Sequence, residues 1–77
     1  MDLLEAALRV LDEEGEPLHW TVIQDLALRR GYLDPFTQND LRKGLLSALA
    51  TAANDPAGRI VKVDRGVYAL RGPDPES

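Results

Sequence analysis

Seventy-seven residues make one small domain, because a chain this short buries only about 60% of the surface that its unfolded form exposes. Apolar residues at 44% and charged residues at 29% exclude wholesale disorder, and the lack of cysteine excludes disulfide frameworks and thiolate metal sites. A net charge of −4 excludes a uniformly basic nucleic-acid binder.

The first predicted element is an amphipathic helix over residues 2–14. Leu3, Leu4, Ala7, Leu8, Val10 and Leu11 share one side of the helical wheel, and Asp2, Glu5, Arg9, Asp12 and Glu13 cover the other. This acidic start is unlike the basic start of a secretory signal. Gly15 stands where a left-handed C-terminal cap belongs, and Pro17 prevents a restart. Residues 18–20 are short and extended. Thr21 and Gln24 have the capping-box spacing, so a second helix is expected from Thr21, with Ile23, Leu26 and Ala27 inward and Gly31 at its close. Arg29 and Arg30 suit the negative end of its dipole.

Residues 32–36 form a connector, with Pro35 as a breaker. Thr37 and Asp40 repeat the capping-box spacing, and a third helix is expected to run to about Ala53. Leu41, Leu45, Ala48, Leu49 and Ala52 share its inner face, with Asn39, Lys43, Ser47 and Ala50 opposite. Gly44 inside it costs about 1 kcal/mol relative to alanine, which close helix–helix packing would explain. Residues 54–58 are a dense turn signal. The β-rich runs 59–63 and 67–71, joined by Asp64, Arg65 and Gly66, form a hairpin. Residues 72–77 are expected to be a disordered tail. No apolar run approaches the roughly 18 residues of a membrane span, so a soluble cytoplasmic protein is expected.

Three helices and a hairpin, with an extended piece after the first helix to complete a three-stranded sheet, are an α+β winged helix-turn-helix over residues 1–71. The residues also carry a resemblance. Leu4-Glu5-Ala6-Ala7-Leu8-Arg9-Val10-Leu11, then Glu16-Pro17-Leu18-His19-Trp20-Thr21-Val22-Ile23, then Ile60-Val61-Lys62-Val63-Asp64-Arg65-Gly66-Val67-Tyr68-Ala69-Leu70-Arg71, are similar to the HARE-HTH family. That family is a winged-helix variant found in some restriction enzymes, in ASXL-type chromatin proteins and in the delta subunit of bacterial RNA polymerase. The resemblance covers roughly residues 3–71. It implies the fold, core positions for Trp20 and Tyr68, and DNA as the partner, while the acidic delta-subunit members imply contact with polymerase.

Charge along the chain is segregated. Residues 1–28 hold seven acids and one base, residues 29–71 eight bases and four acids. One acidic and one mildly basic face are therefore expected. In a helix-turn-helix the later helix enters the major groove with its N-terminal residues at the base edges. Here those are Thr37, Gln38, Asn39, Arg42, Lys43 and Ser47, a set that can bond adenine, guanine and phosphate. Arg59, Lys62 and Arg65 on the hairpin are the candidate phosphate contacts. The same charges also protect a hairpin from edge-to-edge pairing.

Enzyme chemistry is not expected. Nucleophilic triads and metal sites need convergent His, Cys or carboxylate groups, and the lone His19 next to Trp20 reads as structural. No cofactor is expected. The leading expectation is a DNA-binding domain in bacterial transcription regulation or restriction. The alternative is a protein-interaction module that contacts RNA polymerase or another regulator through its acidic face. A third is a piece detached from a larger DNA-acting enzyme.

Overall fold

The computed structural model describes residues 2–34, 36 and 40–71. Helix α1 spans Leu3–Glu14 and is capped at both ends. The Asp2 side chain accepts the Glu5 N–H, and Gly15 closes the helix at φ 69° with its own N–H on the Leu11 carbonyl. Ala6, Ala7, Val10 and Leu11 are buried, while Leu3, Leu4 and Leu8 pack half-buried at the margin.

Strand β1 is only Leu18–His19, and helix α2, Trp20–Arg29, follows it without a gap. The expected start at Thr21 is corrected here. His19 is the N-cap, its ring Nδ1 accepting the Thr21 N–H, and the helix opens at Trp20. Pairing of His19 with Val67 in the sheet holds it at φ −66°, ψ 147°, the extended geometry that a capping residue needs. The Thr21 hydroxyl contacts the same ring nitrogen from inside the helix. Ile23 and Ala27 face the core, as expected, and Gly31 follows at φ 76°.

Helix α3 spans Leu41–Asn54, a later start than the spacing of Thr37 and Asp40 predicts. Asp40 is itself the N-cap, its carboxylate accepting the Lys43 N–H at 3.1 Å, so it cannot also be the acid of a capping box opened at Thr37. Thr37, Gln38, Asn39 and Pro35 lie outside the described residues, as does the expected tail over 72–77. Leu45 and Leu49 are fully buried. Gly44 faces α1, and a Cβ added there would lie 2.7 Å from Leu3 Cδ1.

Strands β2, Ile60–Asp64, and β3, Val67–Leu70, form the hairpin. The sheet is antiparallel in the order β1-β3-β2, with Leu18 opposite Tyr68 and Ile60 opposite Leu70. Directly opposed residues share a face. Leu18, Tyr68, Leu70 and Ile60 therefore all lie on the side that packs under the helices. Lys62, opposite Tyr68, is on that side too, but closer to the turn and exposed. A bulge between Lys62 and Asp64 precedes the turn, where Gly66 takes φ 71°. Tyr68 is buried, whereas Trp20 is only half-buried against the same core. Among the described residues no helix is long and apolar enough to cross a membrane.

Candidate nucleic-acid interface

The first turn of α3 presents Arg42 and Lys43, both exposed, and Ser47 follows one turn later on the same side. Asp40 contributes a carboxylate beside the two bases, but it is engaged as the cap of the helix. The Arg42 guanidinium lies over the Trp20 ring, with Cζ 5.3 Å from the centroid. Trp20 in turn donates its backbone N–H to the Gly66 carbonyl at 2.9 Å. One residue thus touches both the start of α3 and the hairpin turn. Arg65 sits in that turn, exposed, with its own N–H on the Asp64 carboxylate. Arg42, Lys43 and Arg65 are thereby gathered at one end of the molecule, and Lys62 lies on the helix side of the sheet near that end.

Arg59 is not brought to them. It precedes β2, at the end of the strand away from the turn, and a five-residue strand is roughly 16 Å long. There it shares a concavity with Glu5, Leu8, Arg9 and Asp12 of α1. Its nearest charged surroundings are therefore acidic.

The remaining bases are engaged within the fold. Arg29 pairs with Asp25 at 3.0 Å, and Arg30 reaches across to α1, bonding Glu13 and Glu14 at 2.8 Å each. Arg71 donates to the carbonyls of Gly58 and Asp55. Arg9 stacks over Tyr32, whose hydroxyl donates to Glu13. That hydroxyl, then Arg30, hold the Glu13 carboxyl below its ordinary range, and Glu13 raises the Tyr32 phenol. Among the described residues Arg42, Lys43, Arg59, Lys62 and Arg65 form no ion pair.

Sequence reasoning missed two of these features. The exposed side of Trp20 and its stack with Arg42 join positions 22 apart, and no local pattern signals such a pair. The lock of Arg30 on Glu13 and Glu14 had a signal, since adjacent bases end α2 where adjacent acids end α1. No three His, Asp or Glu side chains gather as metal ligands among the described residues.

Three helices over a small antiparallel sheet, with basic residues on the last helix and on the hairpin turn, define a winged helix-turn-helix domain. Residues 1–72 match HARE-HTH, the ASXL and restriction endonuclease HTH domain, and the chain belongs to that family. The family is one of helix-turn-helix DNA-binding domains, generally non-catalytic. No curated protein and no solved structure matches the chain.

Proposed function

We propose that this domain binds double-stranded DNA as a non-catalytic module, with α3 in the major groove and the hairpin turn on the adjacent backbone. The observation that carries this reading is the set of cations left outside ion pairs. Four of those five, Arg42, Lys43, Lys62 and Arg65, belong to the end of the molecule organised by Trp20. They are the phosphate contacts, while Ser47, with Thr37, Gln38 and Asn39, supplies base-edge contacts. With so few contacts the domain reads little sequence, which suits an accessory DNA-holding role in bacterial transcription regulation or restriction.

Four phosphate contacts set a slope of about −3.6 in the logarithm of affinity against the logarithm of salt concentration. Raising salt from about 50 to about 200 mM should therefore weaken binding roughly a hundredfold. Fluorescence anisotropy of a labelled duplex measures this directly. Absence of binding at the lower salt would remove the reading.

One observation favours a second reading, a protein partner. Between α1, α3 and β2 runs an apolar groove of about 560 Å³, lined by Leu4, Leu8, Ala48, Ala52 and Ile60. Glu5 and Asp12 stand beside it on α1, which suits a basic segment of RNA polymerase or another regulator. A pull-down from nuclease-treated extract should then still recover a protein, and Leu8→Glu should abolish that recovery.

A further inference from the structure

We infer that Trp20 is a positioning residue that holds the Arg42 guanidinium in place for a DNA phosphate, an inference that rests on the DNA reading above. Arg42 is exposed on the first turn of α3 and makes no ion pair among the described residues, so nothing charged fixes its side chain. Its Cζ nevertheless sits 5.3 Å from the centroid of the Trp20 ring, within the range of a cation–π contact. Indole is the best aromatic partner for a cation.

Trp20 is itself held on several sides. It is the first residue of α2, packs half-buried against the core, and lies beside the His19 ring at 5.7 Å. Its backbone N–H is bonded to Gly66, and a Cβ on Gly66 would come within 3.2 Å of the indole Cδ1. The ring is therefore a fixed platform tied to the hairpin turn.

A guanidinium above a ring face keeps its N–H donors free for a phosphate fork, because the stack uses its π face and not its edge. A free arginine side chain loses rotamer freedom when it binds, and that loss weakens association. An arginine already resting on a ring has lost part of it beforehand. The same platform fixes Arg42 relative to the turn that carries Arg65, so the two cations meet the backbone at a set separation. A contact that only fastened α3 to α2 would affect unfolding and leave DNA affinity alone.

Arg42→Lys separates the two cases, because it keeps the charge on an exposed position but loses the planar group. Duplex anisotropy on the full chain should show affinity about two- to fivefold weaker than wild type with an unchanged salt slope. Arg42→Ala should lower both affinity and slope. In a Trp20→Leu background, Arg42→Lys should cost nothing further. Trp20 is the only tryptophan, so its emission should also change in Arg42→Lys without DNA, a readout that survives if Trp20→Leu fails to fold. Equal affinity of Arg42→Lys and wild type, alongside weaker Arg42→Ala, would overturn the positioning role and leave the DNA reading standing. No duplex binding by the wild type would overturn both.

Discussion

Leu3 fills the space that a side chain at position 44 would need: its Cδ1 lies 2.7 Å from where a Gly44 Cβ would be. The glycine in the middle of α3 is thus where the start of α1 crosses closely over it. The obstacle is the far end of a flexible, half-buried side chain, not backbone.

Gly44→Ala should accordingly be mildly stabilising. Alanine gains about 1 kcal/mol in helix propensity, and turning Leu3 to another rotamer returns part of it. Urea unfolding followed by circular dichroism should show a gain of about 0.5 kcal/mol, rising to about 1 kcal/mol in a Leu3→Ala background. A loss in both backgrounds would mean that the methyl meets backbone.

The Tyr32–Glu13 bond predicts a pH profile with two arms. Glu13 titrates below its ordinary 4.5, chiefly because Tyr32 donates to it, so its contribution is complete above that value and lost as pH falls through the lowered one. Tyr32 titrates above its ordinary 10, chiefly because of Glu13, so its contribution is complete below that value and lost as pH rises through the raised one. Tyr32→Phe should flatten both arms in thermal melts from about pH 3 to about pH 11. Profiles that stay parallel for the two proteins would refute the coupling.

Charge-removing variants should sort by their partners. Lys43→Ala and Arg65→Ala should each lower the magnitude of the salt slope of duplex binding by about 0.9. Arg29→Ala should leave it unchanged, since Asp25 already holds that guanidinium. Arg59→Ala should also leave it unchanged, because Arg59 faces the acids of α1. Slopes taken from anisotropy at four or five salt concentrations decide the matter, and equal losses in all four variants would mean a diffuse charge effect.

Gly66→Ala should destabilise more than Gly31→Ala. Both glycines have positive φ, which costs an L-residue about 1–2 kcal/mol. A Cβ at Gly66 would in addition lie 2.8 Å from His19 Nε2, whereas one at Gly31 meets nothing within 4 Å. Hydrogen exchange at the Trp20 N–H should also accelerate in Gly66→Ala alone. Equal stabilities in urea would show that the hairpin turn tolerates the displacement of His19.

The fold was readable where local rules act alone. Alternation and helical spacing placed the core residues Val10, Leu11, Ile23, Ala27, Leu45, Leu49 and Ile60, and Gly15 marked its cap. The helix starts were missed for one shared reason. At Thr21 and at Thr37 the capping-box pattern was met, but a neighbour already held in the capping geometry took the role: His19 through sheet pairing, Asp40 through its own carboxylate. Of the candidate interface, the bases were legible and their separation was not. Arg59 and Arg65 are six positions apart in one hairpin, yet the direction of β2 carries them to opposite ends. Tertiary placement of that kind leaves no trace in spacing.

The two-residue strand has a consequence for how the domain opens. Leu18 and His19 owe their extended shape to β3, some fifty positions away in the chain. If the hairpin lifts off, His19 is released from the geometry that caps α2, and the indole loses the Gly66 carbonyl that anchors its backbone. Fraying of the wing should therefore propagate into the front of α2 and slacken the grip on the guanidinium above it. Duplex engagement that clamps the wing would, by the same linkage, stiffen a helix that it never touches.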